Sequence, residues 1–228
     1  MKLGENNLKT SIVIPTLNEE KNLPYLLDEI SNSYTSAELI VVDGYSDDRT
    51  VEIAKKYNCK ILYDRKGKGS AMRKGIQKAK GKIIVLMDAD NSMIPNEIQF
   101  FIKEIEDGCD LCLGSRFMKG GGTDDMPFIR IIGNKFFVKL INFFWKVNFT
   151  DTIYGFKSLK KSIIKDLNLK SNSFDIEVEI TIKAVKNNLK IKEIPAFERK
   201  RLYGYGKLRT FLDGWIIFKK IFNELLNH

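Results

Sequence analysis

The N-terminal half of the chain alternates short apolar runs with amphipathic stretches, and this alternation constrains the fold more than any other feature. The apolar runs predict five strands, at residues 10–17, 37–44, 59–65, 81–90 and 109–117. The amphipathic stretches predict four helices, at residues 18–34, 46–58, 69–80 and 95–108. Strands that alternate with helices of this length form βαβ units. We therefore expect an α/β fold with a mainly parallel central sheet and helices on both faces.

Polar side chains follow the predicted strands at their carboxyl ends. These positions are Pro15 to Glu19, Asp43, Arg65 to Lys68, Asp88 with Asp90, and Ser115 with Arg116. In open α/β sheets, ligands bind beyond the carboxyl ends of the strands, where the strand order reverses. Helix caps also occur at such positions, and we expect Ser46 or Asp47 to cap the second helix. Acidic, basic and glycine-rich loops at five strand ends favour a ligand site along one rim of the sheet.

Two aspartates end the fourth predicted strand. Asp88 and Asp90 follow the apolar run of residues 83–87 without a gap. Two like charges this close repel each other, and each resists leaving water. A divalent cation with oxygen ligands would relieve both costs. Asp90 or Ser92 could instead cap the helix that Pro95 begins, and these residues alone leave both interpretations open.

A glycine-rich segment follows the third predicted strand. Gly67 and Gly69 permit a close backbone approach, and Lys68 and Arg73 add positive charge beside a helix start. This combination suits a phosphate or diphosphate. The segment lacks the GxxxxGK(S/T) pattern of a P-loop, so a plain turn is the alternative.

Composition limits the class of protein and its partners. The chain has 228 residues, of which 43% are hydrophobic and 29% charged, as in a folded protein. Its net charge of +9 indicates anionic partners, namely phosphates, nucleic acid or a membrane surface. An odd number of cysteines, three, favours a reducing compartment. Cys109 and Cys112 form a lone CxxC on a predicted strand, where we expect core packing rather than a zinc site.

With these motifs in this order, the chain resembles glycosyltransferase family 2, inverting enzymes of GT-A fold that use nucleotide-activated sugars. The resemblance is carried by SIVIPTLNEE, VVDGYSDDRT, GKGSAMRKGI and VLMDADNSM, the last being a DxD-type motif. Later segments resemble the branch of dolichyl- and polyprenyl-phosphate sugar synthases: LGSRF, RIIGNKFF, DTIYGFKSLKK, FDIEVEITIKAVKNNLKIKEIPAFERK and YGKLRTFLDG. The similarity extends from Ser11 to Gly214, which is most of the chain.

The resemblance implies roles for individual residues. It places the nucleotide sugar against Pro15, Leu17, Asn18, Glu19, Asp43, Lys68, Arg73, Asp88, Ala89 and Asp90. It implies that Asp88 and Asp90 bind the donor diphosphate and Mg2+ or Mn2+, with Asp90 favoured as the direct metal ligand. The acceptor-phosphate residues that it implies are Arg116, Arg130, Arg201 and Lys207. The catalytic residues that the resemblance implies are Asp88, Asp90, Arg116 and Arg130.

Two positions depart from the family pattern. Gly44 and Tyr45 follow Asp43, where two adjacent acids and a glycine are usual, and this leaves the preference for a base open. Ser92 stands where the lipid-phosphate synthases often have a glutamine ligand. Because serine is shorter, we expect water to complete the coordination of the metal.

The acceptor can be argued from the side chains that are available for catalysis. The single histidine, His228, is the last residue, so histidine catalysis is nearly excluded. Transfer to a hydroxyl normally needs a general base, whereas a phosphate monoester carries about 1.5 to 2 negative charges and is already a nucleophile. A DxD pair with surplus basic residues therefore suits a phosphate acceptor. Asp151 or Glu177 could serve a hydroxyl acceptor as base, although for Asp151 we favour a helix or turn cap.

Two C-terminal segments combine aromatic and basic residues. Residues 128–149 carry Phe136, Phe137, Phe143, Phe144 and Trp145 among four Lys and Arg side chains. Within residues 207–228 one apolar helical face is predicted, formed by Leu208, Phe211, Leu212, Trp215, Phe218, Phe222 and Leu225. Such helices bind membrane interfaces, while packing on the sheet or in a dimer is the alternative. We expect neither a signal peptide nor a membrane span.

These inferences predict one GT-A domain over residues 1–228, with a nucleotide-sugar-binding half (10–120), an acceptor-side half (121–206) and a C-terminal amphipathic helix (207–228). The predicted activity is metal-dependent, inverting transfer of a hexose from a UDP- or GDP-sugar to a polyprenyl or dolichyl phosphate. The expected location is peripheral, at the cytoplasmic face of the membrane, with a membrane subunit or a second copy as further possible partners. A soluble or saccharide hydroxyl acceptor and a silent binding module remain alternatives. Nucleic-acid binding is a third alternative, and the acidic pair argues against it.

Overall fold

A computed structural model of the protein describes residues 9–226, and within them the chain alternates strands with helices as the sequence predicts. The strands are β1 (Thr10–Thr16), β2 (Glu38–Asp43), β3 (Lys60–Tyr63), β4 (Ile83–Leu86), β5 (Leu111–Ser115), β6 (Gly122–Thr123), β7 (Lys157–Lys160), β8 (Ile191–Pro195) and β9 (Phe197–Glu198). The helices are α1 (Leu23–Ser33), α2 (Thr50–Lys56), α3 (Lys68–Lys78), α4 (Ile98–Glu106), α5 (Phe128–Trp145), α6 (Ile164–Leu167), α7 (Ile176–Lys186) and α8 (Thr210–Leu226).

The main sheet has the strand order β3-β2-β1-β4-β7-β5-β8. All pairs are parallel except those of β7, which runs antiparallel to both β4 and β5. The chain leaves β1 toward β2 on one side and later adds β4 on the other, so the strand order reverses beside β1. A crevice for a ligand is expected at such a reversal. The mainly parallel α/β sheet predicted from the sequence is confirmed.

Both faces of the sheet are covered by helices because successive strand residues point to opposite sides. Ile12 and Ile14 of β1 pack in one core cluster with residues of α1, α2 and α4. Val13, between them, packs in a second cluster with residues of α3 and α7. Gly75 of α3 lies directly on β1, where an added Cβ would stand 2.3 Å from a methyl of Val13. The buried strands therefore fix the positions of the loops at their carboxyl ends. Cys112 is buried in β5, as core packing of the CxxC segment predicts.

Three helices begin later than the sequence predicts, and one of them, α4, begins at Ile98 because a 3-10 turn occupies Pro95–Glu97. α1 begins at Leu23 rather than at Asn18, which takes a left-handed conformation with φ 51°. A further correction concerns α2, which begins at Thr50, so Ser46 and Asp47 do not cap it. The Ser46 hydroxyl instead donates to Asp43 Oδ1 at 2.6 Å. In both places polar side chains join the loops after β1 and β2 to each other instead of capping the start of a helix.

The two C-terminal helices, α5 and α8, pack against α7 through a third, smaller cluster. The side of α8 that faces the protein carries Ile217 and Ile221, which are buried. The apolar face that the sequence predicts points outward only in its first part, where Phe211, Leu212 and Trp215 are 84%, 59% and 56% exposed. Further along α8, Phe218, Phe222 and Leu225 are half-buried, and the Phe222 ring contacts Phe144 of α5. His228 and Asn227 of this predicted segment lie outside the described residues. Among the described helices, none has the length and apolarity that crossing a membrane requires.

Candidate active site

A cavity of about 450 Å³ opens at the carboxyl ends of β1 and β4, where the strand order reverses. Its lining includes most of the predicted site residues: Pro15, Leu17, Glu19, Lys68, Asp88, Ala89, Asp90, Arg116, Arg130, Arg201 and Lys207. The fold thus brings together residues that are up to 192 positions apart in the chain (207 − 15). The acidic residues after β4 share the cavity with basic residues from α3, from the loop after β5, from α5 and from the loop before α8.

Asp88 is held by a buried lysine at the first residue of α3. Lys68 Nζ lies 2.7 Å from Asp88 Oδ1 and 3.2 Å from Glu177 Oε1 on α7. The second oxygen of Glu177 pairs with Lys157 at 3.2 Å, so two lysines and two carboxylates alternate below the cavity. Burial raises the pKa of Asp88, and the nearby Asp90 and Glu177 raise it further, against the opposing effect of Lys68. Burial also lowers the pKa of Lys157, which Glu177 opposes.

Asp90 is held from the other side of the cavity. Its Oδ1 accepts hydrogen bonds from the backbone N–H and the hydroxyl of Ser92, at 3.0 and 2.7 Å. Its Oδ2 lies 2.8 Å from Arg201 Nη2. The short 3-10 turn that begins at Pro95 has no side-chain cap, so the helix-cap interpretation of Asp90 and Ser92 is wrong. Asp90 closes a local turn with one oxygen and presents the other to a cation.

The carboxylate pair suits a hard divalent cation that also binds a diphosphate. Both aspartates line the cavity and already have a cationic partner, which shows that positive charge is stabilised beside each of them. Among residues 9–226 no group of three or more His, Cys, Asp or Glu side chains forms a complete metal site. Mg2+ commonly binds through one or two carboxylates, substrate phosphates and water, so two aspartates are a sufficient protein contribution. Asp88 and Asp90 are the residues that would hold it.

A loop that we call the strap, residues 200–209, crosses one side of the cavity between β9 and α8. Arg201 Nη1 lies 3.2 Å from Glu19 Oε1, and Lys207 Nζ lies 2.7 Å from the same oxygen. Lys207 also donates to the backbone oxygen of Leu17. Two of the four basic residues expected at the acceptor phosphate therefore share one acidic partner, Glu19.

The other two basic residues, Arg116 and Arg130, differ in their surroundings. Arg116 is buried and makes ion pairs with Asp151 at 2.7 Å and with Glu198 at 3.1 Å. Asp151 also accepts the backbone N–H groups of residues 153 and 154, so it is a turn cap as expected. Burial opposes ionisation of Asp151, but the Arg116 guanidinium outweighs it and lowers the pKa of that carboxyl. Arg130 donates to the Leu208 backbone oxygen at 2.7 Å and so joins α5 to the strap.

Three predicted nucleotide-sugar residues do not line the cavity. Asp43 is fully buried, and its oxygens accept from Ser46. Asn18 accepts the Asp47 N–H at 2.9 Å, which joins the loops after β1 and β2. Arg73 donates to the Ser171 backbone oxygen at 2.9 Å. Each of them supports a cavity loop from outside, and their contact with a nucleotide remains a prediction.

The glycine-rich segment does permit a close backbone approach, but the partner is the chain itself. The N–H of Gly69 donates to the backbone oxygen of Asn172 at 3.0 Å, and an added Cβ at Gly69 would stand 2.6 Å from the Ser173 oxygen. Lys157, Glu198 and Tyr154 are site residues that the sequence did not identify. No sequence signal marked Lys157, a lysine inside the short strand β7 that is nevertheless fully buried.

Comparisons with known proteins identify the family of the chain. The model of the family described as Glycosyl transferase family 2 matches residues 11–167. The chain is 35% identical over 212 residues to a dolichol-phosphate mannosyltransferase of Pyrococcus furiosus, covering 89% of this chain but only 60% of that relative. It is 30% identical to a dolichyl-phosphate hexose transferase of Haloferax volcanii, covering 92% of this chain and 91% of that protein.

A solved structure supports the fold assignment. Glucosyl-3-phosphoglycerate synthase from Mycobacterium tuberculosis, crystallised with Mn2+, UDP and glucosyl-3-phosphoglycerate, superposes with a TM-score of 0.74 over 95% of this chain and 80% of that one. The two sequences are only 17% identical, so this similarity concerns the fold, which is that of GT-A glycosyltransferases. The family match, by contrast, covers more than half of the chain. The protein belongs to glycosyltransferase family 2.

Proposed function

We propose that the protein transfers a hexose from a nucleotide diphosphate sugar, UDP- or GDP-linked, to a polyprenyl or dolichyl phosphate at a membrane surface. The transfer inverts the anomeric centre and depends on Mg2+ or Mn2+. One observation carries the proposal: a single cavity is lined by the carboxylates of Asp88 and Asp90 together with six basic side chains, which are Arg65, Lys68, Arg116, Arg130, Arg201 and Lys207. An activated diphosphate and an attacking phosphate are both anions, and such a cavity can hold them side by side.

In this proposal, some cavity residues bind the donor and others bind the acceptor. Asp88 and Asp90 would hold the divalent cation, which neutralises the charge that develops on the departing diphosphate. Arg130, Arg201 and Lys207 supply positive charge for the acceptor phosphate, while Arg116 keeps its two carboxylate partners. A phosphate oxygen is nucleophilic without a base. The ion pairs that already engage Asp151 and Glu177 therefore suit a phosphate acceptor better than a hydroxyl, because neither carboxylate is free to take a proton.

The wall of the cavity formed by α5 and α8 suits a lipid acceptor. Ile129 and Phe137 of α5 and Ile217 of α8 line it beside Arg130, so this side of the cavity places apolar side chains next to a basic one. Outside the cavity, the same helices expose large apolar side chains: Phe128, Ile132, Phe136, Phe143, Phe211 and Trp215. An aromatic face with Lys and Arg around it is suited to the interface of a membrane. The two relatives named for dolichyl-phosphate substrates support the same acceptor class.

The reaction class can be tested with radiolabelled donors. Purified protein is incubated with UDP- and GDP-linked hexoses, a short-chain polyprenyl phosphate and Mg2+ or Mn2+, with a chelator as control. We expect label in the organic phase with one base, and its loss when the chelator is present. Hydrolysis of the donor, or transfer to an added sugar without a lipid product, would indicate that the acceptor is a saccharide hydroxyl and not a lipid phosphate.

Membrane binding has its own test. Replacing Phe211 and Trp215 together with serine removes two exposed aromatic side chains from α8, and we expect binding to anionic vesicles to weaken at least about tenfold. Phe100→Ser on α4 is the matched control, since Phe100 is 55% exposed on another part of the molecule. Vesicle sedimentation measures the difference. Equal binding of both variants, or a dimer that the double variant dissociates, would assign the aromatic face to contact with a second copy.

A further inference from the structure

We propose that Glu19 is a positioning residue that holds the strap, rather than a ligand of the donor nucleotide. The inference concerns the acceptor side of the proposed reaction and rests on that proposal for its substrates. The resemblance to the family places Glu19 with the nucleotide-sugar residues, yet its partners belong to the strap. The proposal makes one buried carboxylate the common support of two cations that face the acceptor.

The carboxylate of Glu19 has little capacity left for a ligand. Its side chain is 6% exposed. Oε1 pairs with Lys207 at 2.7 Å, both oxygens lie 3.2 Å from Arg201 Nη1, and Oε2 accepts from the Asn22 side-chain amide at 2.7 Å. Carboxylates use about four lone-pair positions in all, and these contacts engage nearly all of them. A nucleotide hydroxyl would have to displace one of these partners.

The strap depends on side-chain contacts because it forms neither helix nor strand over residues 200–209. Beside Glu19, the amide of Asn22 bonds the strap at Tyr203, accepting from its N–H at 3.0 Å and donating to its backbone oxygen at 3.1 Å. The rings of Tyr203 and Tyr25 stack with centroids 6.1 Å apart. The strap between these points is open to solvent, and Tyr205 is 94% exposed. Its position is therefore determined by a few polar contacts, of which those to Glu19 and Asn22 lie at or just before the start of α1.

Charge explains why a carboxylate is needed at this position. Arg201 and Lys207 would repel each other if Glu19 did not lie between them, and the group of three keeps one net positive charge beside the cavity. Arg201 additionally reaches Asp90 at 2.8 Å, so the strap also contacts the donor side. With Glu19 neutral, we expect both cations to separate and the strap to lose its fixed position, although the sheet below is unaffected.

Limited proteolysis tests the proposal without any substrate. Trypsin can cut the strap after Lys200, Arg201, Lys207 and Arg209, and mass spectrometry identifies the cuts. Glu19→Gln keeps the size of the side chain and its bond to Asn22 but removes the charge. We expect cleavage within the strap to be about tenfold faster than in the wild type, because the loss of two charge-assisted contacts favours local opening. Thermal unfolding shows that the variant is folded.

The neighbouring acid provides the matched control. Glu20→Gln changes the adjacent residue, whose carboxylate contacts Arg49 and not the strap, so it should leave cleavage of the strap at the wild-type rate. A Glu19→Gln protein that is folded and cleaved at the wild-type rate would overturn the proposal. Since cleavage needs no sugar donor or lipid, this result stands even if the proposed reaction is wrong.

Steady-state kinetics then separates a positioning role from a donor-binding role. For Glu19→Gln, we expect the KM for polyprenyl phosphate to rise about tenfold, with the KM for the nucleotide sugar within about twofold of wild type. Glu19→Asp keeps the charge on a shorter side chain and should restore part of the acceptor KM. A rise in the donor KM alone, or a fall in the acceptor KM from removal of a competing anion, would overturn the assignment.

Discussion

Asp88 and Asp90 stand two residues apart, yet different parts of the molecule hold them. Asp88 pairs with Lys68, which is supported in turn by Glu177 on α7 below the cavity. Asp90 pairs with Arg201 of the strap, a segment without regular structure. The side of the site around Asp88, which we propose binds the donor, is therefore built into the packed sheet and its helices. The side around the strap, which we propose binds the acceptor, depends on the side-chain contacts of a loop. This difference predicts that substitutions on the two sides will change different measured quantities.

The largest effect is expected from substitution of the two aspartates. Both substitutions should lower activity, but only one of them should also lower Tm. Asp90→Ala should lower transfer by at least about a thousandfold, since it removes a carboxylate that would hold the metal and the diphosphate. Its Tm should stay near wild type, because Arg201 keeps Glu19 as a partner. Asp88→Ala should lose as much activity and also about 5 °C in Tm, because Lys68 becomes a less completely paired buried charge. Unchanged turnover in Asp90→Ala would contradict the metal assignment.

The next effect distinguishes the two arginines that were both assigned to the acceptor phosphate. Arg116→Gln leaves Asp151 buried without its ion pair, and we expect a Tm loss of about 10 °C. Arg130→Gln removes contacts to Leu208 of the strap and to Thr210 at the start of α8, together with a positive charge in the cavity, so it should raise the acceptor KM about tenfold at nearly constant Tm. Thermal scans and acceptor titrations measure both. If the double variant Arg116→Gln/Asp151→Asn is no more stable than Arg116→Gln, the lost stability has another source.

The smallest expected effect is a dependence of stability on pH at the junction between sheet and strap. Glu97 accepts the Phe197 N–H at 3.1 Å, and burial raises its pKa from the usual 4.5 to about 7. The folded protein therefore binds a proton that the unfolded chain has released, and this contribution to stability is lost as pH rises from 4.5 through 7. Glu97→Gln should raise Tm by about 5 °C at pH 8 and by little at pH 4.5. The exposed Glu52→Gln is the control, and an equal gain at both pH values would contradict this explanation.

The sequence correctly predicted the N-terminal half of the fold, where apolar runs in the sequence correspond to buried strands of the sheet. Buried parallel strands such as β1, β2 and β4 are continuous apolar runs, so their positions and the rim at their carboxyl ends could be read directly. The antiparallel strand β7 was missed because its sequence, KSLK, has too few apolar residues to indicate a central strand. Lys157 within it pairs with Glu177, a partner 20 residues away that no local pattern reveals, and also donates to the backbone oxygen of Tyr154.

The sequence indicated which residues lie at the candidate site better than it indicated which of them form ion pairs with each other. Asp88 and Asp90 were recognised because two acids at the end of an apolar run are costly without a cation. Their actual cations in the structure, Lys68 and Arg201, come from α3 and from the strap, and pairing over such distances depends on tertiary structure. The same limit applies to α8: the predicted apolar residues are exposed at its start and half-buried further along, whereas the buried residues Ile217 and Ile221 were not among them.

The most direct test of the account is a comparison between two acceptors that differ only in the phosphate. Purified protein is given polyprenyl phosphate or the corresponding polyprenol, with the same labelled nucleotide sugar and Mg2+ or Mn2+. The account predicts labelled lipid from the phosphate and none above background from the alcohol, because the site supplies cations for an anionic nucleophile and its buried carboxylates Asp151 and Glu177 are ion-paired. Equal transfer to polyprenol would contradict it and would require a general base in the cavity.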